Sequence, residues 1–227
     1  MPVCAAFMDS EASQDQQKIL QVLPAGPLET NAYIFIDKTR EEALLIDAPP
    51  GVFPMVQSVL KEHGCKLVAL LLTHGHWDHI GDAKAIQDLG AEVYAHPGDR
   101  NWYENPMTMA VAMPQDLVIE PAKITHWLKG DETLNLLGTS VEVRPVPGHA
   151  PGNVLFYFPE HHCAFVGDAI FAGSIGRTDL PGGSFEELEA SIKTQIYTLP
   201  EDVILLSGHG PETSVAQEKA YNPFVQG

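Results

Sequence analysis

The run Leu67–Leu72 is apolar at every position and constrains the fold more than any other segment of the chain. A strand with apolar side chains on both faces has to be covered on both sides, as in the centre of an α/β domain. The segment Thr73–His79 follows this run directly and reads Thr-His-Gly-His-Trp-Asp-His. Ligand sites of α/β proteins gather where such strands end. The sequence therefore predicts a functional site at the end of a central strand.

Strand and helix patterns alternate along the rest of the chain. Short apolar runs predict seven further strands, at Asn31–Ile36, Ala43–Asp47, Glu92–Ala95, Val141–Pro147, Asn153–Phe158, Cys163–Val166 and Val203–Leu206. A hairpin is predicted over residues 131–143, with its turn near Leu137-Gly138-Thr139. Apolar residues at helical spacing predict helices at Val52–Glu62, Ala83–Leu89 and Ser184–Tyr197, the last with a capping box from Ser184 to Glu187. This order indicates an α/β fold with mixed sheets.

Length and charge limit the organisation of the chain and its partners. The 227 residues fit one domain over residues 1–227, with residues 1–17 as a flexible tail. The formal net charge is −17, from 13 basic and 30 acidic residues, and such a field repels nucleic acid. No apolar run approaches the roughly 20 residues of a membrane span. With no signal-peptide pattern and three cysteines outside any Cys-x-x-Cys pair, we expect a cytoplasmic protein without a membrane or nucleic-acid partner.

Four metal-ligating side chains stand within six residues of the motif, at His74, His76, Asp78 and His79. Imidazole nitrogen and carboxylate oxygen are the ligands that zinc prefers besides thiolate. In a loop that leaves a strand, His74 and His76 share one direction, whereas Asp78 and His79 face a second point nearby. This arrangement favours two metal ions over one. Four ligand types after a buried strand also argue against the alternative, a solvated polar loop.

Three more candidate ligands follow predicted strands, each beside a glycine: His149, Asp168 and His209. Glycine lets the backbone approach a metal centre closely. Taken singly, each would be an ordinary turn residue, but their shared position after a strand favours metal binding. His96 also follows a strand and is a candidate for the edge of the pocket. The remaining four histidines are expected on the surface.

The pattern His-x-His-x-Asp-His, with the later Gly-His, Gly-Asp and Gly-His-Gly, resembles the metallo-β-lactamase-fold hydrolases. Within them, residues 167–180 resemble the glyoxalase II-like, hydroxyacylglutathione hydrolase group. The resemblance implies a four-layer αββα sandwich of two mixed β-sheets flanked by helices. It also implies the metal ligands: His74, His76 and His149 for one ion, Asp78, His79 and His209 for the other, and Asp168 as the bridge.

The implied cofactor is a pair of divalent metal ions, with zinc favoured and iron or manganese as alternatives. A hydroxide shared by the two ions would attack the acyl carbonyl of a small-molecule thioester such as hydroxyacylglutathione. Asp78 is the candidate catalytic residue, because it has a second role open to it in orienting that hydroxide. Asp47 is a candidate acceptor for the N–H of a ligand histidine. For Arg177, pairing with Asp179 is favoured over contact with an anionic substrate.

The segment Pro97–Gln115 has two interpretations. Its aromatic and methionine side chains suit an adaptable apolar cover over the mouth of the site. They equally suit a helical pair that packs on the core.

Two departures from well-known glyoxalase II enzymes bear on the substrate. About eighteen residues follow His209, with Lys219 as their single basic residue, and Gly210 stands where that group tends to have glutamate. The sequence therefore predicts a short, glyoxalase II-like member. Two alternatives stay open: a mononuclear iron persulfide dioxygenase of the same fold, and a metal-binding interaction protein without turnover.

Overall fold

The first sheet has six strands in sequence order. The computed structural model describes residues 17–227, apart from the side chains of residues 110–112. The strands are β1 (Lys18–Ala25), β2 (Thr30–Asp37), β3 (Glu42–Ile46), β4 (Lys66–Leu71), β5 (Glu92–Ala95) and β6 (His126–Trp127). Neighbours from β1 to β3 are antiparallel, and those from β3 to β6 are parallel. The apolar run that starts at Leu67 thus occupies a central strand, as predicted.

The second sheet is also mixed and has the order β14-β13-β10-β9-β8-β7. Its strands are β7 (Thr133–Leu136), β8 (Thr139–Pro145), β9 (Val154–Phe158), β10 (Cys163–Gly167), β13 (Ile204–Ser207) and β14 (Thr213–Ser214). β10 and β13 pair in parallel, and the other neighbours are antiparallel. A separate pair joins β11 (Ile170–Phe171) to β12 (Ser174–Ile175). The predicted hairpin is confirmed, with Leu137 and Gly138 both at positive φ in its tight turn.

Helices cover the outer faces of both sheets. They are α1 (Phe53–His63), α2 (Trp77–Ile80), α3 (Ala83–Gln87), α4 (Arg100–Glu104), α5 (Phe185–Ser191) and α6 (Val215–Tyr221). Short 3-10 helices lie at Pro97–Asp99, Pro106–Ala112 and Pro159–His161, and a π-helical turn, Ile192–Ile196, continues α5. Within residues 17–227, no helix combines the length and the apolar character needed to cross a bilayer.

Three clusters of buried apolar side chains separate four layers. In the first cluster, Val56 of α1 packs with Leu45 and Leu70 of the first sheet. The second lies between the sheets and contains Phe35 and Phe156. The third places the second sheet against α5 and α6, and its members include Leu188, Leu205 and Val215. The stacking order helix, sheet, sheet, helix confirms the predicted αββα sandwich.

Several local predictions differ from the structure. β1 was not predicted, because its residues 18–25 show no clear alternation, and residues 1–16 of the predicted tail lie outside the described part. The helix expected over Ser184–Tyr197 changes to a π-helical turn after Ser191. Ser184 Oγ does cap the N–H of Glu187 at 3.3 Å. The Ser184 N–H donates to Gly148 O instead, at 2.8 Å, so the reciprocal half of the predicted capping box does not form.

Candidate metal centre

The loop after β4 carries four of the seven predicted ligands. α2 begins at Trp77, so Asp78 and His79 lie within its single turn. All four ligand-type side chains are buried: His74, His76, Asp78 and His79. The ring centroids of His74 and His76 lie 4.6 Å apart. This burial contradicts the alternative of a solvated polar loop.

The other three predicted ligands lie where strands of the second sheet end. His149 follows β8, Asp168 follows β10 and His209 follows β13. Because β10 and β13 are parallel neighbours, Asp168 and His209 emerge at the same edge of the sheet. The Asn31 N–H donates to Gly208 O at 2.7 Å and joins this edge to the first sheet. The two sheets therefore present their ligand-bearing loops to one another.

Ligand-type atoms of all seven residues converge in three overlapping groups, and within each group they lie within 4.8 Å of one another. We call the first the three-histidine group; it consists of His74, His76 and His149. The second, the carboxylate-rich group, consists of Asp78, His79 and His209. A third set links them through His74, His79 and Asp168. His96 is in none of these groups; its Nδ1 accepts the N–H of Gly98 at 3.2 Å.

The Asp168 carboxylate lies between the two groups. Its Oδ2 is 3.6 Å from His149 Nε2 in the three-histidine group and 3.3 Å from His209 Nε2 in the carboxylate-rich group. Its Oδ1 is 3.3 Å from His79 Nε2. One carboxylate therefore faces the nitrogens of both groups, which is the arrangement that a bridging ligand requires.

The donor atoms of this centre fit a metal ion. Buried polar atoms nearly always have hydrogen-bond partners, because leaving one unpaired is costly. Among the described residues, four buried imidazole nitrogens facing the centre make no hydrogen bond within the chain: Nε2 of His74, His76, His79 and His149. The buried Asp168 Oδ1 likewise accepts no hydrogen bond, and its contact with His79 Nε2 at 3.3 Å is an ion pair without hydrogen-bond geometry. Nitrogen and carboxylate oxygen are the donor set of divalent cations such as zinc, and a cation here would satisfy these atoms.

The far nitrogens of the histidines have partners that orient the rings. His79 Nδ1–H donates to Asp47 Oδ2 at 2.7 Å, so the interpretation of Asp47 as an acceptor for a ligand histidine is confirmed. His149 Nδ1–H donates to Arg177 O at 2.8 Å, and His209 Nδ1–H donates to Leu28 O at 3.2 Å. Fixing Nδ1 in this way turns each Nε2 toward the centre.

The three-histidine group is electrically neutral at pH 7. Burial, reinforced by the neighbouring His149, lowers the pKa of His76 to about 3. Burial also lowers the pKa of His74 well below its ordinary value, and His79 and His76 act in the same direction. The pKa of His149 is lowered by burial as well. Each ring therefore keeps a free nitrogen lone pair at neutral pH.

The carboxylate-rich group holds protons instead. Burial alone would lower the pKa of His209, but the carboxylates of Asp168 and Asp78 raise it to about 9. Burial is also opposed at His79, where Asp168 and Asp78 hold the pKa well above its ordinary value. In the metal-free protein, this group is a set of buried ion pairs.

The sequence profile of the metallo-beta-lactamase superfamily matches residues 25–209, which include every residue of both groups. The chain belongs to the metallo-β-lactamase superfamily. Membership supports a metal-dependent hydrolase, and the histidine and aspartate groups supply residues able to hold the metal.

Relatives within the superfamily span nearly the whole chain. The "Probable metallo-hydrolase YqgX" of Bacillus subtilis is 37% identical over 206 residues, covering 90% of this chain and 96% of the relative. The "Hydroxyacylglutathione hydrolase GloC" of Haemophilus influenzae is 34% identical over 211 residues, covering 91% and 97%. The chain is thus similar to short members of the superfamily, as predicted.

Solved structures agree with this assignment. The BLEG-1 B3 metallo-beta-lactamase superposes with a TM-score of 0.85 at 38% identity, covering 92% of this chain and 100% of that one. TTHA1623, solved in a di-iron-bound form, superposes with a TM-score of 0.78 at 37% identity, covering 90% and 100%. The two structures share the superfamily fold with this chain.

Hydrogen-bonding residues around the centre were missed by sequence reasoning. Thr30 Oγ1 donates to Asp78 Oδ2 at 2.9 Å, and Thr73 Oγ1 donates to Asp47 Oδ2 at 2.7 Å. Asp99 is buried beside the ligand loops, and burial raises its pKa to about 6, although the N–H groups of Gly75 and Gly152 act in the opposite direction. Thr73 had a sequence signal because it opens the histidine motif, and Thr30 lies where the family resemblance begins, whereas Asp99 had no sequence signal.

Two predictions for the neighbouring loops are confirmed. A Cβ at Gly208 would clash with the Asp168 carboxylate and lie 2.5 Å from His79 Cε1, so the backbone approaches the centre as only glycine allows. Arg177 pairs with Asp179 through Nε at 2.7 Å. The guanidinium holds the pKa of Asp179 at about 2.

Three apolar residues lie beside the candidate metal centre, and we call them the apolar rim: Trp102, Phe171 and Leu28. The Trp102 ring centroid lies 5.2 Å from that of His76, and the Phe171 centroid lies 6.0 Å from that of His209. Leu28 is 51% exposed, while its carbonyl oxygen holds His209. The segment Pro97–Gln115 combines both of its interpretations, because Tyr103 and Met109 are buried in the protein whereas Trp102 faces the site.

Proposed function

We propose that this chain is a binuclear metal-dependent hydrolase of small-molecule thioesters. The observation that carries the proposal is the Asp168 carboxylate, which faces histidine nitrogens of both groups. A centre for one ion would not need a carboxylate shared between two nitrogen sets. The GloC relative, named as a hydroxyacylglutathione hydrolase, supports the thioester as substrate. We also propose that residues 1–227 form one domain.

Each group has a distinct role in this proposal. The three-histidine group would hold one divalent ion, the carboxylate-rich group would hold the other, and Asp168 would be shared between them. Zinc suits these nitrogen and oxygen donors. Iron or manganese are the alternatives, and the di-iron form of TTHA1623 supports iron in particular.

The chain's own residues position the reaction. Divalent cations bound here would lower the pKa of a coordinated water and polarise an acyl oxygen. Asp78, proposed as the catalytic residue, accepts a hydrogen bond from Thr30 Oγ1 through its Oδ2, and this bond restrains the orientation of the carboxylate. Burial of His74, His76, His79 and His149 limits the access of bulk water to their nitrogens, whereas His209 is partly exposed. The apolar rim contacts the acyl or thiol part of the substrate.

A β-lactam amide is the second candidate substrate, because the BLEG-1 B3 metallo-beta-lactamase superposes closely at 38% identity. The same centre would serve either reaction, since both begin with attack on an acyl carbon. Parallel assays with S-lactoylglutathione, an uncharged acyl-cysteamine thioester and a chromogenic cephalosporin separate the two. We expect turnover of a thioester to exceed that of the cephalosporin.

Replacing a ligand of the three-histidine group tests the proposal. We expect about two metal ions per wild-type chain, and a His76→Ala variant with about one. Thioester hydrolysis should fall by at least about 10²-fold, the scale already reached when a partner of a metal ligand is lost. His96→Ala is the matched control, because His96 belongs to neither group of candidate ligands. This variant should keep full metal content and activity.

Equal activity of His76→Ala and wild type would contradict a metal-dependent hydrolase. One iron per chain with oxygen consumption on a persulfide would favour a dioxygenase of the same fold. Full metal loading without turnover of any acyl substrate would favour a metal-binding interaction protein.

A further inference from the structure

Asp99 is a buried carboxylate that belongs to neither group of candidate ligands. It lies in the 3-10 helix Pro97–Asp99, just after β5, and is 2% exposed. A buried carboxylate is retained only where hydrogen bonds or charges compensate the loss of hydration. Its partners therefore show what it does.

Both carboxylate oxygens of Asp99 accept a backbone N–H. The Gly75 N–H donates to Oδ2 at 2.8 Å, and the Gly152 N–H donates to Oδ1 at 2.8 Å. Gly75 stands between His74 and His76, and Gly152 stands three residues after His149. One carboxylate thus joins the two loops that carry the three-histidine group.

The packing around Asp99 is as close as the hydrogen bonding. A Cβ added at Gly75 would lie 2.8 Å from Asp99 Cβ, and one added at Gly152 would lie 2.7 Å from Asp99 Cγ. Either substitution would push the carboxylate away from the loops. The two glycines let the backbone of both loops approach Asp99 closely enough for these bonds.

The carboxylate-rich group has different supports. Asp47 accepts from His79, and Thr30 donates to Asp78. Neither contacts Asp99 through a hydrogen bond. Loss of Asp99 should therefore act on one group and spare the other.

We propose that Asp99 is a positioning residue that sets the geometry of the three-histidine group by fixing the Gly75 and Gly152 amides. The inference rests on the proposed role of that group in holding a metal ion. Asp99 is in none of the groups of candidate metal ligands. It keeps His149 at the distance from His74 and His76 that binding of one shared metal ion requires.

The test uses Asp99→Asn, which keeps the shape of the side chain. The amide oxygen still accepts one N–H, but the amide NH₂ then faces the second N–H and cannot accept it. We expect the affinity of one of the two metal equivalents to fall by about 10–100-fold, the usual effect of losing a partner that orients a metal ligand. The other equivalent should keep its affinity. Chelator competition with zinc and the absorption spectrum of cobalt-loaded protein measure both.

Asp37→Asn is the matched control. Asp37 is also buried, and its Oδ1 accepts two backbone N–H groups, from Thr39 and Arg40, at 2.9 and 3.1 Å. It lies at the end of β2 opposite to Thr30. Asp37→Asn should lower stability without changing either metal affinity or the cobalt spectrum.

Unchanged affinity in Asp99→Asn, or an equal loss from both equivalents, would overturn the inference. If the variant does not fold, amide hydrogen exchange of the metal-free wild type decides instead. Slow exchange at both Gly75 and Gly152 supports the hydrogen bonds to Asp99, and fast exchange at either amide overturns the inference. None of these measurements uses turnover. A wild-type protein that binds two metal ions but hydrolyses no thioester would therefore contradict the proposed function without contradicting this inference.

Discussion

The two halves of the metal centre are built on opposite electrostatic principles. The three-histidine group consists of buried imidazoles whose pKa values are lowered, so each ring is neutral at pH 7, with one nitrogen protonated and the other free. The carboxylate-rich group pairs His79 and His209 with Asp78 and Asp168, which raise the histidine pKa values. In the metal-free protein, the imidazoles of one half therefore offer free lone pairs, whereas those of the other half carry an additional proton.

The difference follows from which neighbours are buried together. Desolvation acts on histidines of both groups, and it disfavours the charged imidazolium. Only where carboxylates share the same buried space does their charge outweigh it. Histidines that lie a few ångströms apart therefore differ in protonation state before a metal ion binds, because their buried neighbours differ.

Removal of the shared Asp168 carboxylate should have the largest effect on activity, because it changes both groups at once. We expect Asp168→Ala to lower thioester hydrolysis by about 10³-fold, because a preorganised charge at the reacting centre is lost. It should also lower the pKa of His209, whose proton Asp168 stabilises. Steady-state kinetics and NMR titration of the histidines measure the two effects. Asp179→Ala, at an exposed carboxylate paired with Arg177, is the control and should change neither.

The support of His79 allows a smaller and more selective change. Asp47→Asn replaces the acceptor of the His79 Nδ1–H, so the affinity of the carboxylate-rich group should fall by about 10–100-fold. The three-histidine group should be less affected, which is the reverse of the expectation for Asp99→Asn. Chelator competition on the two variants side by side checks this crossing pattern. Matching losses in both groups would show that the centre behaves as one unit.

The smallest expected effect is a difference between the two groups in how metal affinity depends on pH. A group with a raised pKa is protonated below that pKa, so a metal ion must displace its proton. The affinity of the carboxylate-rich group should therefore rise about tenfold per pH unit for each displaced proton, up to the His209 pKa of about 9. The three-histidine group should show no such rise near pH 7. Titration calorimetry in buffers of different ionisation enthalpy counts the protons released, and equal release from both ions would contradict the scheme.

Much of this architecture could be predicted from the sequence, because the strongest signals are local. The run from Leu67 is apolar on both faces, and its central position in the sheet followed from that pattern. The ligand types in the motif and the glycines beside His149, Asp168 and His209 indicated residues that the structure brings together. The αββα layers came from the family resemblance rather than from periodicity.

The remainder depends on contacts between distant parts of the chain. Asp99 has no motif of its own, and its role appears only when Gly75 and Gly152 lie on either side of it. Thr30 likewise gains its role from Asp78, a distant residue in sequence. β1 was missed because its pairing with β2, rather than its own pattern, makes it a strand.

The division of each candidate ligand group between the two sheets has a consequence for how the protein matures. The ligands come from loops at both sheets, so neither sheet alone contains a complete group of the centre. Buried nitrogens without a hydrogen-bond partner cost free energy when the sheets dock, and a bound cation would remove this cost. Free metal in solution should thus favour the docked state by mass action. The rate at which newly synthesised chains acquire metal then reports on when their two sheets come together.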